Sequence, residues 1–413
     1  MLGSLLKKIL ASIIALIQLA CGVGAYSPQV KLTKATQIYP YVFVHGFSGW
    51  GYDDGLSESM PYWGGANGNL VTYFNSIGCE CYDSSCGAFS SAWDRACELY
   101  AQLTGTRVDY GKAHAEKYGH DRYGKTYSKP LFEGWGKEKK VNFIAHSFGG
   151  NTVRLLSTLL AKGSQEEQQV TKDGSLSSLF AGGHGGWIFS ITTLASPHNG
   201  TTLTDVLQAD PGSPVLAAAY TLFTAINREP IQTVFDFDIS QWHSGEAIQN
   251  LKRLINTPDN GVYDLTLHGS AELNRFIETQ SDIYYYSYAG CCTKAVGKQG
   301  HHVPTLDRLA SAPMASAIGS FKGKALGGEI EVDESWYPND GIVNTVSALH
   351  PSDEAFCIFN ADTVKQGIWQ VMPTQRFAHQ GFTSGNGTSA KDANELIDFF
   401  ITQINLISST YIA

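Results

Sequence analysis

The stretch from Val141 to Gly150, VNFIAHSFGG, decides the fold. Val141, Phe143, Ile144 and Ala145 form a short apolar run, the pattern of a parallel strand covered on both faces. Gly149 and Gly150 follow. Thr152 to Ala161 then carries Val153, Leu156 and Leu160 on one helical face, with Leu155 and Leu159 beside it. Gly163 stands where such a helix stops. Strand, sharp turn and helix place Ser147 at the apex. Small-x-Ser-x-Gly is the pattern of a nucleophile elbow, because the turn brings two backbones too close for large side chains. Ala145 takes the first small position here. A serine at the start of a helix also faces backbone dipoles that favour an anionic intermediate. The pentapeptide alone fits an ordinary strand–turn–helix equally well, so the choice rests on the remaining chain.

The chain has 413 residues, 43% hydrophobic and 16% charged, enough for one large α/β domain or two smaller ones. The net charge is −9, and Lys137 to Lys140 is the only basic block, which argues against nucleic acid as a partner. At the N-terminus Lys7 and Lys8 precede an apolar run, Ile9 to Ala20, with Val23 and Ala25 at a −3/−1 pair. This reads as a signal peptide over 1–25 and a leader over 26–38, hence a secreted protein. The run is short for a membrane span. Cys21 offers a membrane-anchored lipoprotein as the alternative. Of eight cysteines, Cys79, Cys81 and Cys86 are close enough in sequence for a local disulfide, and no cysteine spacing matches a zinc–thiolate site.

Pro40 to Val44 reads as an early apolar strand running into His45-Gly46-Phe47. In α/β-hydrolases such a loop supplies one oxyanion donor, and the residue after the nucleophile supplies the other. That logic selects the backbone N–H groups of Phe47 and Phe148. A helix is expected around Leu70 to Ile77, strands at Trp187 to Leu194 and Asp282 to Tyr288, and irregular chain over 293–330. Asp94, His114 and His120 lie in a polar insert. The two histidines are six apart, off a helix face, and spacing alone reads all three as solvated. Late in the chain, Asp340 sits in an Asn-Asp-Gly turn, and His379 precedes a last helix over Asp392 to Leu406. The order Ser147, Asp340, His379 is that of the α/β-hydrolase triad. Asp333 and Asp353 are rival acids, and His350 a rival base.

With these residues in place the chain resembles the secreted bacterial lipases of the thermoalkalophilic and staphylococcal type. The likeness covers most of residues 40–400. It rests on HGFSGWG (45–51), YWGG (62–65), WDRACE (93–98), AQLTGTRVDYGKAHAEKYGH (101–120), AHSFGG (145–150), GSQEE (163–167), ASPHNGTT (195–202) and NDGIVNT (339–345). The resemblance implies hydrolysis of acylglycerol esters by Ser147, Asp340 and His379. It also implies a structural zinc held by Asp94, His114, His120 and Asp259. Four protein ligands close a tetrahedral site, so that metal staples an insert and does not activate water. The family's calcium ligands follow the catalytic histidine, but Gln380 to Asn386 offers Gly and Asn there, so calcium is not expected. Phe148 replaces a glutamine, which leads us to expect a more apolar site mouth.

The resulting expectation is a single α/β-hydrolase domain over 39–413, with a mostly parallel sheet flanked by helices. It carries a zinc subdomain (about 88–125 plus 236–268) and a helical lid (about 203–235). The expected substrate is a lipid or ester at a lipid–water interface, with no protein partner evident. A polyesterase or short-chain carboxylesterase with an open site is the alternative within the class. A non-catalytic binding protein on a hydrolase scaffold is the alternative outside it.

Overall fold

Short apolar segments pair into one seven-stranded sheet. In chain order they are β1 (Tyr41–Val44), β2 (Cys81–Asp83), β3 (Val141–His146), β4 (Ile188–Leu194), β5 (Tyr284–Tyr288), β6 (Phe356–Ile358) and β7 (Trp369–Val371). Their spatial order is β6-β7-β5-β4-β3-β1-β2, and every neighbouring pair is parallel. The computed structural model describes residues 28–33, 38–54, 57, 60–209, 257–307, 312–328, 330–387 and 389–411. The expected signal peptide, most of the lid and residues 236–256 of the zinc subdomain lie outside these.

Alternation along the strands explains the two-sided burial. Val42, Val44, Phe143 and Ala145 face one core, with Leu99, Leu103, Leu156 and Leu160 from helices Ala92–Thr104 and Gly149–Lys162. Tyr41, Phe43 and Ile144 face the other core, with Phe74 from helix Leu70–Ser76 and Leu396, Phe400 and Ile404 from helix Ala390–Ser409. A period of two sends neighbours to opposite faces, and helices on both faces require both to be apolar. Asn142 is a buried polar residue inside β3. Its amide donates to the Tyr39 carbonyl and the Tyr411 hydroxyl and accepts from Ser190 Oγ, so burial leaves it satisfied.

Element types follow the sequence reading more closely than element ends. The elbow helix begins at Gly149, because both glycines enter its first turn, and it ends at Gly163 with φ +69°. The last helix starts at Ala390, where Ser389 and Asp392 form a capping box, and runs to Ser409. Residues 293–330 are not irregular throughout. Thr293–Val296 and His301–Pro304 form an antiparallel ribbon, and Ala312–Ile318 is a helix. The ribbon turn uses Gly297 and Gly300 at positive φ, so the glycines that suggested irregularity are turn residues. Part of the expected leader is docked: the N–H groups of Val30 and Thr33 donate to Asp398 and Asn405 on the last helix.

Closeness in sequence does not bring Cys79, Cys81 and Cys86 into a bridge. No disulfide joins any two of the seven described cysteines. Cys79 and Cys81 lie with sulfur atoms 3.4 Å apart, while Cys86 Sγ turns to the Arg95 carbonyl. No helix among the described residues is long and apolar enough to cross a membrane.

Candidate active site and metal centre

Ser147 adopts φ +55°, a left-handed conformation that costs a non-glycine residue about 1–3 kcal/mol. The surroundings hold it there. Its N–H donates to the Leu194 carbonyl at the end of β4, and its carbonyl accepts from Gly150 at 3.0 Å. A Cβ on Gly149 would come within 2.5 Å of the Val44 carbonyl oxygen, and one on Gly150 within 2.1 Å of Ser196 Oγ. The elbow is therefore wedged between β1 and β4, and side chains there would push it out.

Three side chains from distant parts of the chain meet at this apex. Ser147 Oγ lies 2.9 Å from His379 Nε2, and His379 Nδ1 lies 2.8 Å from Asp340 Oδ2. The N–H of His379 also donates to the Asp340 carbonyl at 2.9 Å. Asp340 is 1% exposed, and its second oxygen accepts from the N–H groups of Ile342 and Val343 at 3.0 and 2.8 Å. Its own Asn-Asp-Gly turn thus holds the carboxylate by short-range bonds. The rivals are elsewhere: Asp333 is exposed and caps the turn at Glu334–Trp336, and Asp353 is exposed. His350 stacks on Phe356 with its Nδ1 at the Pro351 carbonyl.

The loop His45-Gly46-Phe47 reaches the same apex: a Cβ on Gly46 would meet Ser147 Cβ at 2.7 Å. Among the described residues the N–H groups of Phe47 and Phe148 donate to no protein acceptor. Phe148 does not make the mouth apolar as expected. Its ring is fully buried in the core, with the Arg95 guanidinium carbon of helix Ala92–Thr104 5.4 Å from its centre. Phe47 remains partly exposed beside a cleft of about 410 Å³ that Trp50, Met60 and Gln380 also line.

Sequence reasoning missed the supports of this array. Tyr62 hydroxyl accepts from Gly46 N–H at 3.0 Å and pairs with His146 Nδ1 at 2.6 Å. His146 Nε2 in turn lies 3.0 Å from the His379 carbonyl. Burial first, and His379 second, hold the His146 pKa well below its ordinary value. A neutral ring fits both bonds: Nδ1 accepts from Tyr62 and Nε2–H donates to His379. Tyr62 and His146 both fall inside the motifs that carried the resemblance, but only their meeting in space shows the link.

A second cluster lies at the N-terminal end of helix Ala92–Thr104. Asp94, His114, His120 and Asp259 converge, one donor atom from each within 4.8 Å of all the others. The spacing reading of Asp94, His114 and His120 as solvated fails, since the helix turn and the loop back from Lys112–Tyr118 carry them inward. His114 Nε2 lies 3.3 Å from Asp94 Oδ1 and 3.2 Å from Asp259 Oδ1, and His120 Nε2 lies 3.3 Å from Asp259 Oδ2. Four ligands at 2.0–2.1 Å around a tetrahedral ion stand about 3.3 Å apart. His120 Nδ1 lies 2.8 Å from the Asp121 carbonyl, which leaves the Nε2 lone pair facing the cluster. Burial works against a charged His114, yet Asp259 and then Asp94 outweigh it and push its pKa up to about 9. The buried carboxylates therefore demand positive charge at this point, and a metal cation satisfies that demand. The donor set fits a structural metal.

Comparison with known proteins is consistent with this geometry. Residues 37–411 match the family described as "Lipase-like, C-terminal domain". The lipase of Staphylococcus hyicus is 36% identical over 377 residues, covering 87% of this chain and 56% of that protein, so this chain spans about half the length of the curated relative. The crystal structure of Staphylococcus hyicus lipase superposes with a TM-score of 0.77 at 34% identity, over 92% of this chain and 99% of that one. EstA from Clostridium botulinum superposes with a TM-score of 0.79 at 30% identity, over 96% and 97%. With its seven parallel strands, its serine elbow and a family match across nearly its whole length, the chain belongs to the lipase-like C-terminal domain family.

Proposed function

We propose that the chain is a secreted serine carboxylic-ester hydrolase, a lipase acting on acylglycerols at a lipid–water interface. The observation that carries this is the unbroken run Ser147 Oγ–His379 Nε2 and His379 Nδ1–Asp340 Oδ2, at 2.9 and 2.8 Å, on a strained elbow. A serine hydroxyl is a weak nucleophile until a base removes its proton. His379 Nε2 takes that proton as Oγ bonds to the ester carbonyl carbon. Asp340 holds the tautomer with hydrogen on Nδ1 and stabilises the imidazolium. The N–H groups of Phe47 and Phe148 receive the developing oxyanion. Collapse breaks the bond to the leaving alcohol, whose oxygen takes the proton from His379, and leaves an acyl-enzyme. Water then passes one proton to His379 and attacks the acyl carbon; the acid departs and Ser147 regains its proton.

Asp94, His114, His120 and Asp259 would hold a zinc ion that cross-links the insert. Zinc suits two imidazoles and two carboxylates at this spacing. Residues 1–25 act as the export signal in this reading. Initial rates on p-nitrophenyl esters from C2 to C16 and on tributyrin, for wild type and Ser147→Ala, test the assignment. Preference for long chains and emulsion supports the lipase; preference for C2 to C4 makes it an open-site esterase. A Ser147→Ala variant as active as wild type removes the assignment altogether.

A further inference from the structure

Arg95 is a fully buried guanidinium, and among the described residues it forms no ion pair with a carboxylate. Its partners are two carbonyls, a hydroxyl and an aromatic face. One terminal nitrogen donates to the His45 carbonyl at 2.5 Å and the other to the Gly87 carbonyl at 2.8 Å. Nε donates to Thr152 Oγ1 at 3.0 Å, and the guanidinium carbon stands 5.4 Å from the centre of the Phe148 ring. Burying a cation among neutral acceptors is costly, and hydrogen bonds offset only part of that cost.

The partners define the task of Arg95. Phe47, which supplies one oxyanion donor in the proposed mechanism, is flanked by two pinned residues. On one side the His45 carbonyl is bound by Arg95, and His45 Nε2 accepts from the Cys86 N–H. On the other, Ser48 has φ +55° and donates its N–H to the Ala88 carbonyl at 2.7 Å. Gly87, between Cys86 and Ala88, is held by Arg95 through its carbonyl and by Glu98 through its N–H. Phe148, the other donor, is gripped from the same guanidinium. Its ring lies beneath the cation, and its carbonyl accepts from Thr152 N–H and from the Thr152 hydroxyl that Arg95 also contacts. A planar fork with several fixed donors is suited to hold two backbone segments in register, which a lysine ammonium is not.

We propose that Arg95 is the positioning residue of the oxyanion hole. It locks the spacing between the Phe47 and Phe148 amides and keeps a positive charge buried behind them. The inference rests on the ester-hydrolase reading above. Two observations separate this from plain core support: both donor-bearing segments converge on one side chain, and a strained residue adjoins each donor, Ser48 after Phe47 and Ser147 before Phe148.

The test compares Arg95→Lys, Arg95→Met and the milder Thr152→Val with wild type on a p-nitrophenyl ester and on the matching thionoester. Sulfur accepts hydrogen bonds poorly, so the ester-to-thionoester rate ratio reports how well the two amides are aimed. We expect kcat on the ester to fall about 10- to 100-fold for Arg95→Met, less for Arg95→Lys, with KM within about twofold, and the rate ratio to collapse toward unity. Thr152→Val, which removes only the hydroxyl between Arg95 and Phe148, shifts the ratio in the same direction by a smaller factor. Equal losses on both substrates, or an unchanged ratio in Thr152→Val and in whichever Arg95 variant folds, overturn the proposal. Ser147→Ala is run alongside. If it retains activity the underlying reading has failed, whereas a dead Ser147→Ala with unaltered ratios rejects the role of Arg95 alone.

Discussion

His146, the residue before Ser147, contacts through Nε2 the backbone carbonyl of His379, 3.0 Å away. The elbow thus holds not only Ser147 but the loop that carries His379. The other ring nitrogen meets Tyr62 hydroxyl, which accepts from Gly46 N–H on the loop His45-Gly46-Phe47. Three loops are tied by two side chains.

Tyr62→Phe should expose that tie. It removes one hydroxyl and leaves the Gly46 N–H and His146 Nδ1, both buried, without it. Loss of a buried partner costs about 1–3 kcal/mol. We expect a lower melting temperature and a kcat reduced about tenfold, with KM little changed. A variant that melts earlier but keeps full kcat would show that the tie stabilises without positioning.

Asp340→Asn separates geometry from charge. The amide oxygen can keep the bonds from Ile342 and Val343, so the turn should survive. The amide nitrogen facing His379 Nδ1 would favour the wrong tautomer. We expect kcat to fall by about 10⁴ with the melting temperature within a few degrees of wild type. Steady-state kinetics beside thermal unfolding gives both readings.

Removing the proposed metal should cost stability before it costs chemistry. The cluster ties Asp94 on one helix to His114 and His120 after it and to Asp259, more than a hundred residues later in the chain. A ligand at a hundredfold excess over its Kd stabilises by about 2.7 kcal/mol. Chelation should lower the melting temperature by on the order of 5 °C, and added zinc should restore it. Asp259→Asn should lower metal content, read by elemental analysis, and abolish the response to chelator.

His45 predicts a pH dependence with a definite sign. Burial, and then the charge of Arg95, lower its pKa to about 3, and the neutral ring accepts from Cys86 N–H. The unfolded chain takes up this proton near its ordinary value, about 6.5. The stability that neutral His45 contributes is therefore complete above pH 6.5. It declines by about 1.4 kcal/mol per pH unit as the pH falls from 6.5 toward 3. Urea unfolding at pH 7.5, 6 and 5 should show His45→Asn losing one proton's worth of that slope. Parallel slopes in the two proteins would mean that His45 is not the group.

Sequence alone determined the elements whose cause is local. Apolar runs produced β1, β3 and β4, and the two glycines after Ser147 forced the elbow, since side chains there would strike β1 and Ser196. The Asn-Asp-Gly turn carries its own bonds, and chain order alone made Asp340 the candidate acid. The tertiary structure decided whatever depends on residues far apart in the chain. Spacing could not show that Asp94, His114 and His120 turn inward, because Asp259 completes their charge balance from across the fold. Nor could it show that the Phe148 ring is buried in the core against Arg95 of another helix. In the sequence Arg95 and Tyr62 stand only as members of WDRACE and YWGG. Their partners are backbone carbonyls and N–H groups on other elements, and backbone groups leave no signature in residue identity until the chain has folded around them.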